Sequence, residues 1–286
     1  MTFKHFMNPI MPYIKMLRPA NALMAGAAVV LGAWLAQSVD IRSVFLLVIA
    51  AISAVGYGNA VNDIKDIDTD RICHPQRPLP QNKISPSSAI IFAFFLFSFS
   101  LVNAFLVSSV HGIGTLGPLL LLSLYAFFLK GTPLTGNVLV SLLVAYALVF
   151  GGLKAPLLQR LFVPALLAFL LNLAREIIKD FQDEAGDRLA GLTTTALLPK
   201  PAAQTILAVI SIAFAGLLFV PYLAKHFGVV YAGSCMILVL PFHIWWSLLA
   251  LRSRWTSFLS KISGFIKLEM LAGLLALAAD RLLDTV

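Results

Sequence analysis

The sequence predicts an all-α protein that crosses a membrane several times. Of its 286 residues, 59% are hydrophobic and only 12% are charged, whereas soluble domains carry about 25% charged residues. So few charged side chains cannot cover a surface that faces water. Apolar runs close to the ~20 residues that cross a bilayer also recur along the whole chain. Together these observations exclude an ordinary soluble domain and indicate a polytopic membrane protein.

Nine apolar segments follow one another, and we expect each to form a transmembrane helix. Most of them end at turn-forming or charged residues, such as Pro86, Gly112 and Pro201. Residues 3–17 precede them as a partly amphipathic, interfacial lead-in. No stretch between the segments is long enough for a soluble domain, so we expect one domain over residues 1–286. The segments are 20–38, 43–62, 87–109, 113–129, 135–153, 162–182, 202–223, 228–250 and 264–283.

The distribution of Lys and Arg predicts how the chain is oriented in the membrane. With a cytoplasmic N-terminus, 16 of the 21 basic residues lie on the cytoplasmic side, as the positive-inside rule requires. The net charge of +8 therefore reflects topology, and we expect no nucleic-acid partner. The predicted location is the inner (cytoplasmic) membrane of the cell, in contact with the lipid bilayer. The basic residues on the outer side are Arg42, Lys154, Arg160, Lys225 and Arg281.

The acidic residues are concentrated in two short windows. Each window lies at the end of an even-numbered segment, so the predicted topology places both on the cytoplasmic side. An ionisable group within an apolar run is costly and usually functional, and the second window begins inside such a run. The two windows hold nine of the 13 acids, namely Asp63, Asp66, Asp68 and Asp70, and Glu176, Asp180, Asp183, Glu184 and Asp187.

The spacing within both windows predicts a site for a magnesium-bound diphosphate. The intervals are four, three and four residues in each, which brings side chains to one face of a helix. Mg²⁺ is usually held by one or two carboxylates, with water and substrate phosphates completing its shell, and Arg and Lys bind phosphate oxygens. Arg71 and Arg77 follow the first window, and Arg175 and Lys179 lie within the second. The spaced residues are Asn59, Asp63, Asp66 and Asp70, and Glu176, Asp180, Asp183 and Asp187.

These motifs resemble those of the UbiA family of intramembrane prenyltransferases. The segment from Asn62 to Asp70 fits the family's NDxxDxxxD motif, and the segment from Asp183 to Asp187 fits its DxxxD motif. The resemblance covers about residues 17–195 and implies a helical bundle around a central cavity, capped by cytoplasmic acidic loops. Its other elements are Leu17-Arg18-Pro19-Ala20-Asn21, Arg77-Pro78-Leu79-Pro80, Tyr125, Lys130 and Gly136-Asn137.

The resemblance also implies a role for individual residues. Mg²⁺ would be held against a prenyl diphosphate by Asn62, Asp63, Asp66, Asp70, Asp183 and Asp187. The diphosphate would be bound by Arg71, Arg77, Lys130 and Lys179, and the pocket lined by Arg18, Asn21, Tyr57, Asn59, Tyr125 and Asn137. The catalytic set would be Asp66, Asp70, Asp180, Asp183 and Asp187. Asp180 would serve as a base, an orienting group, a ligand or a structural residue.

The acceptor of the prenyl group is predicted from finer motif detail. Residues 175–180, Arg-Glu-Ile-Ile-Lys-Asp, and the short step from Asp70 to Arg77 resemble the members that alkylate geranylgeranylglyceryl phosphate to make ether lipids. The short step is similar to that of chlorophyll synthases as well. Gln81-Asn82-Lys83 and Thr193-Thr194-Thr195 depart from the usual pattern, so an aromatic quinone precursor (hydroxybenzoate or homogentisate) or chlorophyllide stays an alternative. From other classes, a membrane transporter or channel and a silent scaffold stay open as well.

Overall fold

The computed structural model describes residues 3–38, 40–189, 191 and 193–283. Over these residues the regular structure is entirely helical, which confirms the predicted all-α class. A π turn, Tyr125–Leu129, continues α6, and another, Cys235–Val239, joins α11 to α12. The helices are α1 Phe3–Leu17, α2 Pro19–Leu35, α3 Ile41–Lys65, α4 Ile67–Cys73, α5 Pro86–Val107, α6 Ser109–Leu124, α7 Thr135–Gly151, α8 Phe162–Leu189, α9 Lys200–Leu218, α10 Val220–Leu223, α11 Val229–Ser234, α12 Leu240–Ala250 and α13 Leu259–Leu283.

Each of the nine predicted segments falls on a helix, but their lengths differ. Within the described ranges, seven helices are long and apolar enough to cross a membrane. The pair formed by Pro9–Leu17 and Pro19–Leu35 is bent by 53° and gives an eighth span if it is counted as one. Thr135–Gly151 is apolar but shorter, at 17 residues. The count of nine spans and the side that each loop faces therefore stay predictions.

The bend between α1 and α2 lies at Arg18. Its φ is +51°, a left-handed conformation that costs an L residue about 1–2 kcal/mol. Pro19 follows, and a proline disfavours the α conformation in the residue before it. The predicted lead-in is thus a separate amphipathic helix, and its junction with α2 carries an arginine side chain.

The next helix, α3, begins at a capped end. Asp40 accepts hydrogen bonds from the backbone N–H groups of Arg42 and Ser43. The Ser43 hydroxyl also donates to this carboxylate and lowers the pKa of Asp40. Such a cap satisfies N–H groups that have no partner within the helix.

The helices pack into two compact units. The first consists of residues 1–30 and 39–130, and the second of residues 31–38 and 131–286. In the first unit, Met16, Val61 and Leu79 lie in the core. In the second, the core includes Ile177 and Trp246. The prediction of a single domain stays a prediction.

In the second unit, Gly32 packs directly on the backbone of α7. A Cβ at this position would lie 1.9 Å from the carbonyl oxygen of Leu148. We expect Gly32→Ala to destabilise the protein by about 1–3 kcal/mol, because the backbones must separate. Gly216→Ala is the matched control, since a Cβ there meets nothing within 4 Å. Thermal unfolding in detergent compares the two, and equal melting temperatures would contradict the close packing.

Candidate active site

The first acidic motif lies where α3 ends and α4 begins. α3 ends at Lys65, Asp66 has φ −94° and ψ 7°, and Asp70 follows on α4. The expected ladder on one continuous helix is therefore wrong for this motif, since the helix breaks at Asp66. Acidic residues favour the first turn of a helix because they complement its dipole, and Asp68 and Asp70 occupy that turn of α4.

Two arginines bind the buried carboxylates of this motif. The Arg18 Nη2 atom lies 2.7 Å from Asp63 Oδ1, and the Arg77 Nη1 atom lies 2.6 Å from Asp70 Oδ2. Arg77 Nη1 is also 3.5 Å from Asp63 Oδ1, so this one guanidinium bridges two aspartates. The side chains of Asp63 and Asp70 are only 4% and 3% exposed. Buried charges need such partners.

Lys130 contacts Asp66, the aspartate between Asp63 and Asp70 in the motif. Its ammonium group forms an ion pair with Asp66 Oδ2. Lys130 directly follows the π turn, and its backbone N–H donates to the carbonyl of Tyr125 at 2.7 Å. π turns occur often at functional sites. Here the turn ends at the lysine that neutralises Asp66.

Asn62 carries an amide oxygen without a partner among the described residues. Its Oδ1 is buried and accepts no hydrogen bond from the described residues, although buried polar atoms are almost always paired. Within the part of the chain that the structure describes, no three His, Cys, Asp or Glu side chains are grouped as a metal site. An amide oxygen in the same motif as several carboxylates is nevertheless the kind of donor that Mg²⁺ prefers. The residues of the motif therefore fit this ion.

The other predicted residues of the first unit have different surroundings. Arg71 pairs with Asp68 at 2.8 Å, and both side chains are exposed, at 56% and 85%. Asn59 donates to the carbonyl of Leu17 at 3.1 Å, next to the bend at Arg18. Tyr57 and Ser123 share a hydrogen bond of 2.6 Å between their hydroxyl groups. Asn21 is exposed and Tyr125 is half-buried.

The second acidic motif lies on one unbroken helix, α8, as its spacing predicted. Asp183 and Asp187 are half-buried near its C-terminal end. Lys179 lies 3.4 Å from Glu176, whose carboxylate also accepts from Arg175 at 3.0 Å. The Nε atom of Arg175 is buried and has no partner among the described residues.

Asp180 is held in a polar network in the second unit. Its Oδ2 atom accepts from Asn137 Nδ2 at 3.0 Å and from the backbone N–H of Thr195 at 3.1 Å. The Thr195 hydroxyl accepts from the backbone N–H of Leu134 at 3.1 Å. Thr195 is fully buried. Asp180 thus orders the segment after α8, whereas the sequence alone marked Thr195 only as a departure from the family pattern.

We expect Asp180→Ala to lower stability by about 1–3 kcal/mol, because the N–H of Thr195 and the amide of Asn137 lose their acceptor. Asp180→Asn keeps an acceptor oxygen and is the matched control, with a smaller loss. Amide hydrogen exchange at Thr195, followed with thermal unfolding, measures the effect. Unchanged protection of Thr195 in the alanine variant would contradict this role.

A second polar cluster was missed from the sequence. Glu269 lies on α13 and accepts from Trp246 Nε1 at 2.5 Å, and its other oxygen lies 2.8 Å from His243 Nδ1. The available signal was an acid within the apolar segment 264–283, since ionisable residues in such segments are rare.

Comparison with known proteins identifies the family. The model of the UbiA prenyltransferase family matches residues 23–266. The chain belongs to this family. It is therefore a prenyltransferase, and with its apolar helices it is an integral membrane protein. Family membership confirms the resemblance that the two acidic motifs indicated.

The most similar UbiA relatives include two proteins named digeranylgeranylglyceryl phosphate synthase. The one from Methanopyrus kandleri is 37% identical over 94% of this chain and 99% of its own length. The one from Methanosphaera stadtmanae is 34% identical over 95% and 99%. The chain thus matches these UbiA proteins over nearly their whole length.

Solved structures of UbiA proteins share the fold. One from work on digeranylgeranylglyceryl phosphate synthase in membranes has a TM-score of 0.81 at 28% identity, covering 96% of this chain and 98% of that one. A UbiA homologue from Archaeoglobus fulgidus, bound to GPP and Mg²⁺, has a TM-score of 0.66 at 17% identity, covering 92% and 99%. At that identity the likeness concerns the fold alone.

Proposed function

We propose that this enzyme transfers a geranylgeranyl group from its diphosphate to the free hydroxyl of geranylgeranylglyceryl phosphate, within the membrane. The observation that carries the proposal is the match over nearly full length to relatives named for the product of that reaction. The motif detail of residues 175–180 supports the same acceptor. The product is an ether lipid, and pyrophosphate leaves.

The metal cofactor of this proposal is Mg²⁺. In the first unit, Asn62, Asp66 and Asp70 would hold it, and the unpartnered Oδ1 of Asn62 supports this assignment. In the second unit we assign Asp183 and Asp187 to the same function, on the sequence motif alone. When bound, Mg²⁺ neutralises charge that develops on the departing pyrophosphate, which lowers the barrier to breaking the C–O bond.

Asp63 has a different role in this proposal. It is buried and already accepts from both Arg18 and Arg77. We therefore assign it to hold the two guanidinium groups in place rather than to bind the metal. The ion pairs with Asp63 order both arginine side chains before the phosphate binds. Each arginine therefore loses less conformational freedom on binding it.

Arg77 and Lys130 would exchange partners when the diphosphate arrives. Each pairs with an aspartate assigned to the metal, Asp70 or Asp66. With the carboxylates of Asp66 and Asp70 holding Mg²⁺, Lys130 and Arg77 would be free to bind the phosphate oxygens. Arginine offers a fork of N–H donors that matches phosphate geometry, and lysine a point charge. In the second unit Lys179, which lies beside Glu176, would also bind phosphate oxygens. Arg71 pairs with Asp68 on the exposed surface, so we assign it a smaller contribution to diphosphate binding.

The apolar surroundings would protect the allylic cation from water during transfer. Aromatic faces stabilise a cation at close range, and Tyr57 and Tyr125 are the candidates for this role. The hydrogen bond between the hydroxyl groups of Tyr57 and Ser123 holds the Tyr57 ring in place. Asp180 would act by positioning the residues around Thr195, since its Oδ2 atom accepts hydrogen bonds from both Asn137 and Thr195.

An acceptor competition assay tests the proposal. Purified enzyme in vesicles receives geranylgeranyl diphosphate, Mg²⁺, and equal amounts of geranylgeranylglyceryl phosphate, hydroxybenzoate and homogentisate. We expect mass spectrometry to find the ether-linked product in at least about 100-fold excess, because a site built for one polar group rejects acceptors that lack it. Preferential prenylation of an aromatic ring would instead support the quinone-precursor alternative. Family membership already favours the enzyme over a transporter.

The proposed cellular location is the cytoplasmic membrane, with the N-terminus and the acidic motifs on the cytoplasmic side. The bias of Lys and Arg supports this orientation.

A further inference from the structure

A short basic loop, residues 251–261, joins α12 to α13 in the second unit. It carries Arg252, Arg254 and Lys261, and all three side chains are exposed. The helices on either side of it belong to stretches that are apolar enough to span a membrane. Because the link between two such helices is short, the basic loop lies at the membrane surface, at the level of the lipid head groups.

Two cations of the basic loop share one aromatic ring. The guanidinium carbon of Arg252 lies 5.7 Å from the centroid of the Phe258 ring, and the Nζ atom of Lys261 lies 6.0 Å from it. The face of an aromatic ring attracts a cation at this distance, so Phe258 holds two positive charges near each other. Like charges repel, and an anion bound between them would remove this repulsion.

The protein itself supplies no carboxylate to the basic loop. From residue 188 to residue 268 the sequence contains no Asp or Glu. Among the residues that the structure describes, none of the three cations of the loop forms an ion pair, whereas Arg188 in the same unit pairs with Glu184 at 2.8 Å. The basic loop therefore presents positive charge that is left for an external anion.

The backbone of the basic loop is held in place by its neighbours. Gln204 Nε2 on α9 donates to the carbonyl of Ala250 at 2.9 Å and to the carbonyl of Arg252 at 3.0 Å. Trp255 is 1% exposed, and its ring packs edge-on against that of Phe181 on α8, with 4.8 Å between the centroids. An ordered backbone lowers the entropy that the loop loses when it binds a ligand.

We propose that the basic loop binds the phosphate head group of an anionic phospholipid of the membrane. Arg252 would offer its fork of N–H donors to the phosphate oxygens, while Arg254 and Lys261 add positive charge. Phospholipids are the anions present at the level of the loop, and the predicted orientation places it on the cytoplasmic side, where the lipid surface is negatively charged. No residue of the basic loop is assigned to a substrate above, so the inference does not rest on the proposed function.

Photolabelling with a matched pair of lipids tests this site. The full-length protein in phosphatidylcholine vesicles receives a trace of phosphatidylglycerol or of phosphatidylcholine, each with the same diazirine near the glycerol end of one acyl chain. We expect phosphatidylglycerol to label residues 251–261 about 25-fold more, because each of the two cations at Phe258 strengthens binding about fivefold. The variant Arg252→Gln, Lys261→Gln should lose this preference, and the exchange Arg252→Lys, Lys261→Arg, which keeps both charges, should retain it.

The matched control is the variant Lys15→Gln, Lys83→Gln. It removes the same charge from two exposed positions of the first unit and should keep the preference for phosphatidylglycerol at residues 251–261. Equal labelling by the two lipids in the wild-type protein would overturn the proposal. A loss of preference in this control as large as in Arg252→Gln, Lys261→Gln would also overturn it, because only the net charge would then matter.

Steady-state kinetics distinguish a lipid site from a substrate site. The KM for geranylgeranyl diphosphate should be unchanged in Arg252→Gln, Lys261→Gln. A raised KM together with an intact preference for phosphatidylglycerol would assign these cations to the substrate and overturn the proposal. Thermal unfolding of each variant confirms that it is folded before labelling and kinetics are compared.

Discussion

Replacing Asp66 with alanine is expected to reduce prenyl transfer by about 10³-fold. Two effects combine in this variant. The proposed metal site loses a carboxylate at the junction of α3 and α4, and Lys130 loses the partner that holds its ammonium group in place. Initial rates at saturating geranylgeranyl diphosphate, measured over a range of Mg²⁺ concentrations, give the loss and any shift in the Mg²⁺ requirement.

Asp68→Ala is the control for this prediction. Asp68 lies two residues away, but its side chain is 85% exposed and pairs only with the exposed Arg71, so the rate should change less than about threefold. The double variant Asp66→Ala, Asp183→Ala should have no measurable activity. Transfer at the wild-type rate in that double variant would show that the assigned metal site is wrong.

Replacing Arg77 with alanine is expected to have the second largest effect. The guanidinium bridges Asp63 and Asp70, which are almost fully buried, and removing one partner of a buried pair costs about 3–5 kcal/mol. The same variant removes a proposed donor to the departing pyrophosphate, so kcat should fall about 10²-fold. Thermal unfolding and steady-state kinetics measure the two effects separately.

Two further variants separate stability from chemistry at this position. Arg71→Ala removes an exposed arginine six residues away and should change neither the melting temperature nor kcat substantially, since exposed pairs contribute about 0–1 kcal/mol. Arg77→Lys keeps the charge but loses the fork of N–H donors, and should restore stability more than activity. If Arg77→Ala matched Arg71→Ala in both measurements, the bridging role would be contradicted.

The positions of the helices and of the candidate site followed largely from the sequence. Apolar run length locates spans because the bilayer fixes the length of a spanning helix, and each predicted segment falls on a helix. The spacing of the second motif matched the continuous helix α8. Acidic residues and arginines lie close together in the sequence, which predicted contacts between their side chains. In the structure Arg77 does contact Asp70.

The details that could not be predicted from the sequence depend on tertiary contacts. Spacing alone does not show that α3 breaks at Asp66, because the same residues would also continue a helix. The pairing of Arg18 with Asp63 joins residues 45 positions apart, and the bond from Asp180 to Thr195 orders a segment without regular periodicity. Glu269 and His243 lie on separate helices, 26 positions apart, so their pairing had no local signal.

The central claim is that the enzyme joins a geranylgeranyl group to the hydroxyl of geranylgeranylglyceryl phosphate in a reaction that requires Mg²⁺. A single-turnover experiment in vesicles tests it most directly, by measuring pyrophosphate and lipid product together. We expect equal amounts of pyrophosphate and of an ether with the mass of two geranylgeranyl groups on glyceryl phosphate, and neither compound after chelation of Mg²⁺. Pyrophosphate released without the ether, or product formed at an undiminished rate after chelation, would contradict it.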